Sequence, residues 1–280
     1  MLCAHSESRS PEQSGFHPSS GLIGVLDSGV GGMTVLVRLV GRMPHRPYVY
    51  FADTAWCPYG PRPRSEVAQR TLTIAEKLLC LGCSMIVVAC NTATSAAITL
   101  LRERLPVPIV GMEPAVKPAV LATRTGHIAV LGTRGTLQGD KLRQLEMQHA
   151  GHVTVHHVEG AGLVELVESE QYDSPATVAR LQEIWQPLRP FPIDQVVLGC
   201  THYPFIRPAL EQCLGSGVGI VDPADAVAAR AVSLAEAQPL SLPVRSDDAQ
   251  PSITFLSSAG VDEVPRMQRF YEAYSARIRP

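Results

Sequence analysis

One pattern occurs twice in this chain and constrains its architecture more tightly than any other feature. GVLDSG at 24–29 has a counterpart in AVLGTR at 129–134, and VVACNT at 87–92 has one in VVLGCT at 196–201. Each is an apolar run of the kind that forms a strand buried on both faces, and each stops at small polar residues or a cysteine. Ser28 and Cys90 are 62 residues apart, and Thr133 and Cys200 are 67 apart. One strand-end hydroxyl and one strand-end cysteine therefore recur at similar separation in each half.

The segments between these runs carry helical spacing. Further strands are expected at 48–52, 107–112, 152–158 and 253–256. Helices are expected at 35–40, at 65–81 with Ser65 as cap and Gly82 as stop, and between Cys90 and Pro106. Others are expected at 141–148, 163–167, 177–186, 224–237 (opened by Pro223) and 261–278. DTAWCPYGPRPR at 53–64 is dense in proline and reads as a loop. Alternating strands and helices predict an α/β fold with two pseudo-symmetric lobes, each a mainly parallel sheet flanked by helices, and the active site in the cleft between them. Residues 21–112 with 226–280 form lobe one in this reading, and 113–225 form lobe two. Residues 1–20, poor in apolar residues, read as a disordered tail with no secretory signal.

Composition narrows the partners. With 45% hydrophobic and 18% charged residues the chain suits a soluble enzyme, and a formal net charge of -2 leaves no basic field for nucleic acid or a membrane surface. Its longest apolar runs are too short to span a bilayer. Seven cysteines in so long a chain argue for a reducing cytoplasm rather than a disulfide framework.

A thiol at a strand end before a helix meets amide N–H groups and the positive end of a dipole, both of which favour thiolate. Two such thiols, Cys90 and Cys200, facing each other across a ligand suit stereochemical inversion. One removes a proton from a carbon acid while the other delivers one to the opposite face. Ser28, Asn91, Thr92, Thr133, Thr136 and Thr201 beside them suit carboxylate and ammonium groups. Asp27 and His202 lie close enough in sequence to assist proton transfer, although Asp27 also suits a helix cap. A pyridoxal-phosphate mechanism needs a Schiff-base lysine, and Lys77, Lys117 and Lys141 all fall in helical stretches outside any glycine-rich phosphate site.

Other features read as structural. Cys3, Cys57, Cys80 and Cys213 are expected as small packing residues. The Cys80–Cys83 pair lacks the second pair that a structural zinc site needs, so no metal is expected. Gly29, Gly31 and Gly32 lack the lysine of a phosphate loop and are read as a tight turn bringing backbone close to a small substrate. His152 and His156 alternate with valines, as on a solvated strand face.

DSGVGG at 27–32, DTAWCPYG at 53–60, ACNTATSAA at 89–97, LGTRGT at 131–136 and GCTHYP at 199–204 together resemble the glutamate racemases of the cofactor-independent aspartate/glutamate racemase superfamily. The resemblance spans residues 21 to 278. It implies interconversion of L- and D-glutamate without cofactor, supplying D-glutamate for peptidoglycan synthesis in the cytoplasm, and it leaves room for a homodimer. It implies that Cys90 takes the α-proton of D-glutamate and Cys200 that of L-glutamate. It also implies that Asp27, Ser28, Tyr59, Gly60, Asn91, Thr92, Thr201 and His202 contact substrate. A glutamate of LVELVE pairs with His202 in this reading. Glu168 is the best match, with Glu165 as rival because Gly160-Ala161 stands where the family often has Cys-Pro.

Overall fold

The computed structural model describes residues 21–237 and 251–278. The expected tail at 1–20 lies outside the described residues, as does part of the stretch before the last strand.

Four apolar runs rich in β-branched residues form the first half of the fold: β1 (Ile23–Asp27), β2 (Tyr48–Ala52), β3 (Met85–Val88) and β4 (Ile109–Gly111). Helices α1 (Met33–Arg42), α2 (Arg64–Cys80) and α3 (Asn91–Arg104) connect them. The chain then crosses through α4 (Val116–Ala122) to β5 (His127–Gly132), α5 (Arg134–Leu137), α6 (Asp140–His149) and β6 (Thr154–Glu159). It continues through α7 (Leu163–Glu168), α8 (Pro175–Trp185), β7 (Gln195–Gly199), α9 (Arg207–Leu214) and β8 (Gly219–Val221). Finally α10 (Ala224–Ala237), β9 (Ile253–Ser257) and α11 (Val264–Ile278) return to the first half, where α10 packs on α1 and β9 pairs with β2.

The two sheets have the same topology. The first runs β4-β3-β1-β2-β9, and the second, read from its other edge, runs β8-β7-β5-β6. Replacing β1 by β5, β2 by β6, β3 by β7 and β4 by β8 converts one order into the other, with β9 added at one edge. Every neighbouring pair is parallel. The central strands β1 and β3 are buried along their whole length, which is why they read as unbroken apolar runs rather than as alternation. One apolar cluster extends from Ile23, Val25 and Leu36 through Ala129 and Leu131 to Leu198, Phe205 and Phe270, so the two sheets share a core. Each fully buried Leu or Val there contributes about 1.5–3 kcal/mol. No helix among the described residues is long and apolar enough to cross a membrane.

Some local expectations need correction. Helix α2 starts one residue before Ser65, after Pro63, and Ser65 makes no cap; Gly82 does end it, with φ of +91°. Helices α4, α5 and α9 and strand β8 carry no readable signal, being short and, in α4 and α9, interrupted by Pro118 or opened by proline. Residues 261–263 form a 3-10 turn ahead of α11. His156 is not simply solvated: its ring packs at a tilt against Phe191, 4.5 Å between centroids, and its Nε2 meets His127 Nδ1 at 3.0 Å.

Candidate active site

Parallel strands deliver their carboxyl ends to one side of a sheet, and both sheets present that side to a common cavity. Asp27 ends β1, Cys90 follows β3, Thr133 follows β5 and Cys200 follows β7. The cavity is nearly closed, with only about 10 Å³ open to a water-sized molecule. Its lining is Ser28, Pro58, Tyr59, Gly60, Cys90, Asn91, Thr92, Thr133, Val164, Cys200, Thr201 and His202. Asp27, Thr136 and Glu168 stand behind this lining rather than in it.

Cys90 caps α3, its sulfur accepting the Ala93 N–H at 3.4 Å, and its thiol faces Ser28 Oγ at 3.8 Å. The helix terminus does not decide its protonation. Burial pushes the Cys90 thiol up, and the nearby Asp27 charge adds to this, against the weaker pull of Ala93 and Ser28. The helix-terminal amide does lower the Cys90 pKa, as expected, but burial and Asp27 outweigh it. Cys200 differs in its setting too, since a 3-10 turn at Tyr203–Ile206, not an α-helix, comes next.

Beside Cys200 stands a buried chain of polar groups. His202 Nδ1 lies 3.7 Å from Cys200 Sγ and 3.4 Å from Thr201 Oγ1, and Nε2 lies 2.6 Å from Glu168 Oε1. Burial alone would lower the affinity of His202 for a proton. Hydrogen bonding with Cys200, Cys57 and Glu168 outweighs it and lifts the imidazole well above its ordinary pKa. Burial would likewise raise Glu168. The bond and charge of His202, the Val30 N–H at 2.9 Å and the Arg266 guanidinium hold it instead at about 2. Glu168, not Glu165, meets His202; Glu165 is exposed one helical turn earlier.

Asp27 Oδ2 accepts the N–H groups of Gly29 and Gly32 at 3.2 and 3.0 Å, and Oδ1 accepts the Thr201 hydroxyl at 3.3 Å. It thus shapes the glycine loop and reaches the other half. Burial raises its pKa despite the His202 charge. The glycines also make room for protein neighbours that the sequence does not reveal. A Cβ on Gly29 would lie 1.9 Å from Glu168 Oε1, and one on Gly31 would lie 2.4 Å from His202 Nδ1 and 2.5 Å from Thr201 Oγ1. Side chains of the second half press on the backbone of Gly29 and Gly31, while Asp27, Tyr50 and Ala89 of the first half press on Gly32.

The opposite wall is a hydroxyl cluster. Thr92 Oγ1 lies 2.7 Å from Thr133 Oγ1 and 3.5 Å from Thr136 Oγ1, which in turn lies 3.1 Å from Thr133. Asn91 Nδ2 donates to Met112 O at 3.3 Å, while the buried Asn91 Oδ1 has no partner. An unpaired buried acceptor at a cavity is the natural receiver of a ligand N–H. Tyr59 donates its hydroxyl to Asp53 at 2.5 Å, so only its ring faces the cavity. Arg70 holds Asp53 bidentately at 2.7 and 2.8 Å. Gly60 is pressed against Thr133, where a Cβ would come within 2.9 Å of the threonine Cβ.

Four participants escaped the sequence reading: Cys57, Arg266, Asp53 and Arg70. The Asp53–Arg70 pair lay within a quoted motif and a helix start, but only the bend of the loop aligns them. Cys57 is more than a packing residue: its thiol donates to Glu168 Oε1 at 3.6 Å, and burial pushes it up to about 11. Cys57, Glu168 and His202 place three metal-type donor atoms within 4.8 Å of one another. The surroundings do not suit a cation there, because the Arg266 guanidinium already occupies the second Glu168 oxygen.

Comparison with known proteins adds independent findings. The chain matches the Asp/Glu/Hydantoin racemase family over residues 21–231. It is 44% identical to the glutamate racemase of Ectopseudomonas mendocina over 76% of this chain and 81% of that protein. It is 41% identical to that of Herpetosiphon aurantiacus over 84% and 92%. Among solved structures it resembles an isoform of glutamate racemase from Bacillus anthracis, with a TM-score of 0.79 and 30% identity over 92% of this chain and 96% of that one. It also resembles Escherichia coli glutamate racemase in complex with L-glutamate and an activator, with a TM-score of 0.78 and 31% identity over 90% and 95%.

Proposed function

The chain belongs to the Asp/Glu/Hydantoin racemase family, and on that premise we propose that it is an isomerase interconverting L- and D-glutamate by a two-base cysteine mechanism without cofactor. The supporting observation is the pair of strand-end thiols lining one cavity from topologically equivalent strands of two sheets. Lobe one in this reading comprises 21–112 with 226–280, and lobe two 113–225.

Substrate lies between Cys90 and Cys200. Its ammonium donates to Asn91 Oδ1, and its carboxylates take hydrogen bonds from Ser28, Thr92, Thr133 and Thr201, with Thr136 bracing the threonine pair. The Tyr59 ring and Gly60 close the cavity. From D-glutamate, Cys90 sulfur takes the α-proton, and the C–H electron pair stays on the α-carbon beside the carboxylate. The Cys200 thiol then gives its proton to the opposite face. The reverse direction exchanges the roles. Burial and Asp27 favour the thiol form of Cys90, and a substrate ammonium beside it supplies positive charge that favours thiolate. Asp27 sits within the field of Cys90, and His202 backed by Glu168 sits beside Cys200, so each thiol has its own proton-handling neighbour. The product serves peptidoglycan synthesis in the cytoplasm.

The test is incubation of the purified chain with L-glutamate in D2O without additives, following optical rotation and α-deuterium. Decay of rotation to zero with one deuterium incorporated per inverted molecule supports the reading. Inactivity until pyridoxal phosphate is added overturns it.

A further inference from the structure

Helix α11 docks on the second half through a row of three arginines. Arg266, Arg269 and Arg277 share one helical face and pair with Glu168, Glu170 and Asp173. The outer two pairs are solvent-exposed, with 59% and 43% of the side chains accessible for Arg269 and Glu170, and 31% and 58% for Arg277 and Asp173. Exposed pairs of this kind contribute little. The inner pair is different: Arg266 and Glu168 are 18% and 16% accessible, and the guanidinium meets both the carboxylate Oε2 and the Glu168 backbone carbonyl. Glu263, one turn earlier, fixes Arg266 from behind at 2.7 Å.

Glu168 is the last residue of a helix of only six, so its own element does little to hold its side chain. Oε1 is occupied by His202, Val30 N–H and Cys57, which leaves Arg266 as the group on Oε2. We propose that Arg266 is a positioning residue for the Cys200 side of the reaction: it holds the Glu168 carboxylate in the orientation that directs His202 at Cys200. The proposal rests on the two-base reading given above. The imidazole meets one thiol only, Cys200; Cys90 has Ser28, Ala93 and Asp27 near it, and the charges of His202 and Glu168 reach it indirectly, through Asp27.

The groups facing Glu168 are His202, Cys57, Tyr50, Asp27 and Arg266, with Glu263 behind the last. Arg266 brings a permanent positive charge to this set, so removing it makes Glu168 easier to protonate. Protonated Glu168 no longer draws the Nε2 proton of His202, and activity falls on the acid side.

The test compares R266Q, R266K, R269Q and R277Q with the unaltered chain. The substrates are L- and D-glutamate carrying chloride on the β-carbon, whose elimination needs proton removal alone. Elimination from the L-form, started by Cys200, is expected to fall about tenfold in R266Q, the scale of one hydrogen bond to a charged group, with the D-form changed less than twofold. R266K should recover most of the loss, and the acid limb of the L-form profile should move to higher pH in R266Q. R269Q and R277Q should change neither form. Equal loss of both forms, or equal effects from all three arginines, reduces Arg266 to a docking contact and overturns the proposal. Failure of the unaltered chain to racemise glutamate or eliminate from either form instead removes the underlying two-base reading.

Discussion

The surroundings of Cys90 and Cys200 are topological equivalents with unlike chemistry. Both thiols follow the strand next to the first strand of their sheet, β3 beside β1 and β7 beside β5. Yet Cys90 opens a helix of 14 residues and has the Ser28 hydroxyl, the Ala93 amide and the Asp27 carboxylate near it, with no imidazole in contact. Cys200 opens a 3-10 turn and leans on His202, Glu168 and Arg266. Duplicated topology brings two thiols to one cavity, and side chains supported from elsewhere decide the surroundings of each. On the two-base reading proposed above, the two directions of the reaction are therefore served by unlike proton relays.

The harshest way to break the comparison is to remove each thiol. Cys90→Ser and Cys200→Ser are each expected to lose racemisation by roughly 10²-fold or more, because a hydroxyl is a poor base and a slow proton donor. Their elimination activities should be opposite, Cys90→Ser retaining the L-form and Cys200→Ser the D-form. Retention of the same enantiomer by both would end the assignment.

Glu168→Gln probes the assisted side. Racemisation should fall about a hundredfold. Stability should also respond, with a sign set by the pair. Glu168 is depressed from 4.5 to about 2, so its contribution is fully present above 4.5 and lost as pH falls through 2. His202 is raised, so its contribution is present below 6.5 and lost as pH rises through its higher folded value. Between those limits, near pH 6, the variant should be less stable by about 3 kcal/mol. Denaturant titrations at pH 6 and pH 3 check this, and the difference between variant and parent should shrink at pH 3.

Gly31→Ala sharpens the role of the glycine loop. Its Cβ would overlap His202 Nδ1 and Thr201 Oγ1, and both belong to a packed buried network. A cost of about 1–3 kcal/mol is expected, with His202 displaced and the L-form elimination hit harder than the D-form. Equal effects on both would place the strain in the loop alone. At the small end, Cys80→Ser alters an exposed thiol on α2 far from the cavity. Melting and racemisation should stay within about 0.5 kcal/mol of the parent.

The repeated strand-end pattern is legible because parallel-strand burial and helical periodicity are local signals. Five neighbours along the chain suffice to read QVVLG as β7 or YVYFA as β2. Cys90 and Cys200 were visible for the same reason: each stands directly after such a run. Short elements were not visible. The three residues of β8 are only half-buried, and their strand character comes from pairing with β7.

What the sequence by itself determined was thus the alternation of elements, the duplication and the arrival of both thiols at strand ends. Tertiary structure alone decided which charges meet. Glu168 reaches His202 across 34 residues of chain and Arg266 reaches Glu168 across 98. No periodicity records such pairings, because they depend on helices folded back from distant segments. The same holds for protonation. The cap position of Cys90 is written in its neighbours and argues for thiolate. Its burial and the Asp27 charge come from the fold and outweigh the cap, since removing a charge from water costs more than one helix terminus returns.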